Sequence, residues 1–288
     1  GWSISGKLVD RDWLAPQLGP DHWLEFSAGY LQREEPTFDR SGWEAGVGLR
    51  KDWGRHLSTT VDYTFSSQRA EDISGRVSEI DRAGFIQNGT LGLNAQLDHR
   101  DDPALTTRGW LGSIGTAWST PPFGSDLDYF ELDLRSSLTI DLVGDGSLTA
   151  TLGGRYTTRD PLDDAPTLPV QFRLFNGGAA SVRSFGFNEL SPVDADGNAI
   201  GGLSRGMATA ELRWRLWDSK WHVAGFYDIG FVEARPYRIA ETGGHAIGGG
   251  IRYELPIGPI RLDAAWNPFA RFAADDGWAV QFAIGHIY

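Results

Sequence analysis

The sequence predicts an all-β protein, a transmembrane antiparallel β-barrel of about twelve strands with a long extracellular loop folded into its lumen. Three observations carry that prediction. Apolar and polar residues alternate with period 2 over most of the chain, the polar face carries charge, and the links between segments alternate between short and long. Composition fits the same class. The 288 residues hold 37 Gly and 12 Trp but one Met and no Cys, and no run of about 18 apolar residues is present to form a membrane-spanning helix. A strand-built membrane protein shows no such run, because every second residue faces away from lipid.

The segments follow in order. In 23–31, Leu24, Phe26, Ala28 and Tyr30 alternate with Glu25, Ser27 and Gly29. In 43–53, Trp43, Ala45, Val47 and Leu49 oppose Glu44, Gly46, Gly48 and Arg50, and beyond Gly54 the residues Leu57, Val61, Tyr63 and Phe65 share one face. Leu91, Leu93, Ala95 and Leu97 repeat the pattern, as do Trp110, Ile114 and Trp118. In 127–142, Phe130, Leu132, Leu134, Leu138 and Ile140 oppose Glu131, Asp133, Arg135, Ser137 and Thr139, an order that a helix would scramble. One segment, 147–156, precedes the longest loop, and five follow it at 206–217, 221–232, 245–253, 259–266 and 277–288. Segments of 9 to 11 residues match a tilted strand crossing a bilayer, and Trp and Tyr near their ends suit the two interfacial girdles. Residues 22–288 form the barrel, while 1–21, with Trp2, Ile4 and Leu8 at even spacing, form a further strand or a periplasmic or luminal segment.

Short links at Gly54, 143–146, 218–220 and 254–258 define a periplasmic rim, with 99–108 as its one long turn. Long links at 32–42, 66–87, 119–126, 157–205, 233–244 and 267–276 define the extracellular rim. Counted from residue 23, the even strand number lets the sheet close and puts both chain ends on the periplasmic side. The opening GWSISGKL has no initiator Met, basic region or apolar leader, so an export signal is expected to have been removed, with or without a preceding domain. The lack of Cys fits an oxidising compartment, and a net charge of -12 argues against nucleic acid as a partner.

The loop 157–205 is too rich in Phe172, Leu174, Phe175, Val182, Phe185 and Phe187 to be a solvated tether, so it is expected inside the lumen. Arg183 would then enter a confined space, where an unpaired guanidinium is costly and carboxylates must meet it. Parity offers two. Glu211 opposes Leu212 and Trp214, and Asp228 opposes Tyr227 and Ile229, so both point inward. The alternative is an ordinary exposed loop arginine.

VRSF, Val182 to Phe185, resembles the Val-Arg-Gly-Phe/Tyr motif in the sixth extracellular loop of the BamA/TamA/FhaC superfamily of outer-membrane insertases and translocators. Other stretches resemble the same superfamily in the same order: LDHRDDPALTTRGW (97–110), the loop flanks FNGGAASVRSF with Gly177 and Gly178 and GNAIGG with Gly201 and Gly202, GFYDIGFV (225–232) with Asp228 and Gly230, and the closing QFAIGHIY with Phe282, Gly285 and Tyr288. The similarity covers roughly 88–288. It implies residence in the outer membrane among its lipids and lipopolysaccharide, a loop arginine held by strand carboxylates, an unfolded β-barrel or secreted polypeptide as substrate, and soluble POTRA modules upstream. Ser184 departs from the motif's glycine, so the backbone there cannot require a positive φ. The family barrel has sixteen strands, five of them after the motif loop, so the resemblance implies that the first strands are missing here. It also implies a seam between first and last strands that opens laterally. Gly285 would weaken the last strand there, or simply bend it at the rim.

Enzymatic readings find little. His22, His56, His99, His222, His245 and His286 stand beside no recognisable nucleophile, and no metal-ligand spacing occurs, so neither catalysis nor a cofactor or metal is expected. His56 and His222 are expected to face the lumen. The expectation is a barrel that inserts or translocates polypeptide; the alternative is a passive pore or membrane anchor, in either case with homodimerisation through the first and last strands as a further arrangement.

Overall fold

The computed structural model describes residues 2–10, 19, 21–74, 81, 84–163, 167–217, 219–239, 243–255, 258–269 and 277–285. Thirteen strands follow one another: β1 (Trp2–Asp10), β2 (His22–Glu34), β3 (Asp39–Trp53), β4 (Leu57–Glu71), β5 (Ile86–Asp98), β6 (Gly109–Ser119), β7 (Tyr129–Asp141), β8 (Leu148–Pro161), β9 (Ser204–Arg215), β10 (Trp221–Glu233), β11 (Gly244–Tyr253), β12 (Ile260–Trp266) and β13 (Trp278–Ile284). Each pairs antiparallel with its sequence neighbours in one continuous sheet. Such a meander satisfies backbone N–H and C=O groups between strands, as hydrocarbon surroundings require.

This topology resolves one alternative and corrects three expectations. Of the readings open for 1–21, the further strand is the one present: Trp2–Asp10 pairs along its whole length with β2, which gives thirteen strands among the described residues. Several strands also exceed 9 to 11 residues: β3 and β4 each have 15, which shrinks the 32–42 link to residues 35–38. The ladder runs past the apolar stripe into polar sequence such as Gln32, Arg33 and Glu34, where alternation no longer marks a strand. Finally, among the described residues no ladder joins β13 to β1. An odd number of alternating strands makes those two run parallel, so the even-numbered antiparallel closure is not available. For the same reason β1 starts at the rim of the long links, so the two chain ends do not share a rim.

The apolar stripes face outward. Phe26, Val61, Leu93, Ile114, Ile140, Leu152, Leu212, Ile229 and Ile251 are all exposed, with Trp43, Trp53, Trp110, Trp118, Trp221, Trp266 and Trp278 toward the strand ends. Buried apolar side chains lie on the other side, inside the curl. One cluster joins Ile86, Leu127 and Tyr129 to Leu168, Phe172 and Leu203. A second joins Phe226, Ala246 and Ala265 to Val182, Phe185 and Leu190, and a third sets Phe38 against Val170, Phe175 and Ala199. Each contains residues of the link between β8 and β9. The molecule is therefore an inside-out protein, and among the described residues each of its buried apolar clusters forms where that loop fills the lumen.

Candidate functional site

The loop between β8 and β9 reaches from the last strand to the link after the second. Gln281 of β13 donates to the carbonyl of Phe185 at 2.8 Å, and Asn188 donates to Glu35, just beyond β2, at 2.7 Å. Thr37 donates to the carbonyl of Ala199 at 2.6 Å. Two residues three positions apart in the loop thus touch the last strand and the link after the second, which shows how far the sheet curls around it.

Within the loop, Val182 to Phe185 form a turn closed by Phe185 N–H to Val182 C=O at 3.1 Å. Gly177 and Gly178 enter it with φ of 100° and 96°, a region that disfavours side chains. Val182 packs so closely over Gly230 of β10 that a Cβ there would lie 2.5 Å from its methyl group. Gly201 and Gly202 close the loop's far end, where Leu174 and Gly202 exchange backbone hydrogen bonds at 2.8 and 2.9 Å. Ser184 keeps a negative φ and donates its hydroxyl to the carbonyl of His245 at 2.6 Å, tying the turn to β11 in a way glycine has no atom for.

This turn projects Arg183 into the lumen, where it is fully buried. Its Nε and Nη2 each lie 2.8 Å from one oxygen of Asp228, a bidentate pair, and its backbone N–H reaches the same carboxylate at 3.2 Å. Nη1 reaches Glu211 at 2.9 Å and Asp263 at 3.5 Å. Thr209 donates to Asp228 at 2.8 Å, and the guanidinium carbon sits 3.2 Å from the centroid of the Phe226 ring. Arg252 bonds both Glu211, at 3.1 Å, and Asp263, while Arg261 approaches Asp263 at 3.5 Å and donates to Ala179 C=O at 3.1 Å. Arg183, Arg252 and Arg261 thus face Glu211, Asp228 and Asp263 as a balanced cluster, the condition under which charge tolerates a dry interior.

The sequence-derived residues Val182, Arg183, Phe185, Glu211, Asp228 and Gly230 therefore meet at one point. Phe226, Thr209, Arg252, Arg261 and Asp263 join them and were missed, although the same parity places each opposite its strand's outward stripe. Phe282 stands apart, exposed on the outer face. Gly285 has φ of 95° just past the last residue of β13 and donates to Pro259 C=O at 2.8 Å, so it ends the strand at the rim and does not kink its middle. Tyr288 lies outside the described residues. His222 is buried, whereas His56 lies in the β3–β4 turn, stacked on His99 with ring centroids 4.1 Å apart.

The turn 99–108 is a second polar lattice, at the opposite rim. Arg100 pairs with Asp98 at 2.7 Å, Asp101 accepts from the Thr107 hydroxyl and the N–H of Thr107 at 2.5 and 3.0 Å, and Arg213 of β9 donates to Thr106 C=O at 2.6 Å. Burial alone would raise the Asp101 carboxyl, but those bonds and the N–H groups of Arg108 and Asp102 hold it below the usual carboxylate range.

Apolar outer stripes, interfacial aromatics and an inward loop pinned by a buried arginine define a transmembrane β-barrel of the outer-membrane type. Residues 5–288 match the Omp85 superfamily domain, and the chain belongs to that superfamily, a family of bacterial outer-membrane insertases and transporters and not of enzymes. The fold is similar to the crystal structure of BamA from Haemophilus ducreyi lacking POTRA domains 1-3, with a TM-score of 0.75 and 15% identity over 97% of this chain. It is also similar to CdiB from Acinetobacter baumannii, with a TM-score of 0.60 and 17% identity over 91% of this chain. The chain spans 60% of the first of those chains and 47% of the second.

Proposed function

We propose that this barrel inserts β-barrel polypeptides into the outer membrane or moves polypeptide across it, without catalysis, and that the Arg183 cluster holds the luminal loop in the working position. The observation that carries this reading is the combination of a loop locked to β9–β12 with sheet edges at β1 and β13 that no ladder joins among the described residues. An unpaired edge templates another strand, and a rigid loop beneath the seam keeps its two sides in register while a substrate strand is added. The proposed substrate is an unfolded barrel protein or a secreted chain, delivered by POTRA-type domains.

Depletion of the protein, with outer-membrane proteins followed by quantitative proteomics, tests the reading. Reduced levels of barrel proteins or of one secreted protein are expected. Unchanged levels together with a steady open conductance in planar bilayers would instead establish the passive pore. Cysteines placed in β1 and β13 separate closure within one chain from pairing of two, since only the second yields a disulfide-linked dimer.

A further inference from the structure

The luminal face of β5–β9 carries an arrangement that the anchored loop does not use. One lateral row crosses it: Gln96 is opposite Ser113, Ser113 opposite Arg135, Arg135 opposite Arg155, and Arg155 opposite Met207. Like charges directly opposite each other destabilise a sheet, so a cross-strand Arg–Arg pair needs a reason. Both lean on a single carboxylate: Asp133 accepts from Arg135 Nε at 2.7 Å and from Arg155 Nη2 at 3.1 Å. One positive charge is therefore left over. Both guanidiniums are also accessible, at 51% and 38% side-chain exposure, in a lumen where Arg183 has none.

These side chains border open space. Gln96, Ser113, Arg135 and Arg155 line a cavity of about 400 Å³ roofed by Ala180 of the loop. Arg155, Ala180 and Met207 also border an adjoining space of about 320 Å³ that leads past Arg205 toward the rim of the long links. Arg205 spends one nitrogen on Phe175 C=O at 2.9 Å. On the wall formed by β2–β4, Glu25 and Asp62 flank Gly48 in one row and Glu25 is paired with Lys7 of β1 at 2.8 Å, so that row offers no cation comparable to the one left over at β7 and β8.

We propose that the Arg135–Arg155 pair is a luminal binding site for an acidic segment of polypeptide, a statement of substrate chemistry that rests on the insertion or translocation reading. Guanidiniums match carboxylates in fork geometry, and the neighbouring amide and hydroxyl of Gln96 and Ser113 complete a polar set for a carboxylate and a peptide group. Two adjoining spaces sharing one wall fit an extended chain better than a lone small anion.

The test uses the full chain purified in detergent and a fluorophore-labelled peptide of alternating Glu and Ser, with its Gln and Ser counterpart as control, read by anisotropy. The Glu peptide is expected to bind at least about tenfold more tightly than the Gln peptide, and Arg135→Gln with Arg155→Gln is expected to erase that preference. Arg135→Lys with Arg155→Lys should keep part of it, and heat-dependent gel mobility verifies that each variant is folded. Arg135→Gln alone leaves Asp133 its bonds to Arg155 and Thr157, which gives a second variant that folds independently of the pair's charge. Equal binding of the two peptides overturns the proposal, as does a preference that survives the double Gln variant. Binding of inorganic phosphate without binding of the Glu peptide overturns it too, in favour of a small-anion site. Because binding is read on the isolated barrel, a positive result beside an unchanged depletion proteome removes the insertion reading and leaves the site standing.

Discussion

The loop between β8 and β9 and the turn of residues 99–108 are both held by arginine, aspartate and threonine, at opposite rims and in opposite surroundings. In the loop, Arg183 and Asp228 have no exposed surface, and each guanidinium nitrogen of Arg183 reaches a carboxylate or hydroxyl of the wall. In the turn, Asp101 and Asp102 are exposed and their bonds run mostly to backbone N–H groups within the same ten residues. The chemistry is alike, but the consequence of losing one partner is not. A group removed from the dry cluster strands a charge that water cannot reach, whereas a group removed from the turn is replaced by solvent.

Arg183→Ala is expected to have the largest effect. It leaves Asp228 buried and unpaired, so a loss of about 3 to 5 kcal/mol in loop anchoring is expected. Limited proteolysis reads it as new cleavage within the link between β8 and β9; wild-type resistance there would show that the apolar clusters alone hold the loop. Asp228→Asn keeps the shape and removes the charge, and a similar opening is expected.

The loop's other end supplies the intermediate case. Arg173 reaches both oxygens of Asp81 at 2.8 and 3.0 Å, and the N–H of Val170 reaches the same carboxylate at 2.9 Å, far from the Arg183 cluster. Asp81→Asn should weaken this end by about 1.5 to 3 kcal/mol, the range for hydrogen bonds to a charged group. Arg173 still holds Leu168 C=O at 2.6 Å and Ile200 C=O at 3.0 Å, so cleavage is expected near 168–175 and not at the Arg183 turn. Equal exposure of both ends would mean the loop melts as one unit.

How these contacts relate to the sequence follows from the range over which period-2 alternation acts. Where lipid wets one face, alternation marks the strand and assigns each side chain a direction, and that parity alone points Glu211 and Asp228 toward the lumen that Arg183 enters. Phe226, Arg252 and Asp263 obey the same parity and were legible in principle; an aromatic ring and two charges on the polar face of their strands are the signal. Asp81 was not legible, since it sits in a link with no repeat and meets Arg173 across 92 residues. The Arg135–Arg155 pair depends on register, which parity does not set: each residue is visibly inward, but only the ladder puts them side by side. The seam was hidden for a related reason, because strand ends extend into polar sequence and β1 has a short, weak stripe.

The smallest effect belongs to the turn, and it is a matter of pH. The Asp101 carboxyl is held below its ordinary range in the folded protein, so its contribution is present above the unfolded value and is lost as pH falls through the folded one. The expected window therefore begins near the ordinary carboxylate value of about 4 and extends downward. Acidification should loosen residues 99–108, seen as falling protection factors against amide exchange at Thr107 and Arg108, while Arg183 stays protected. Asp101→Asn should remove the pH dependence of protection at these two amides and leave the loop between β8 and β9 unchanged. If acid instead released the loop first, the contrast between buried and solvated lattices would be reversed.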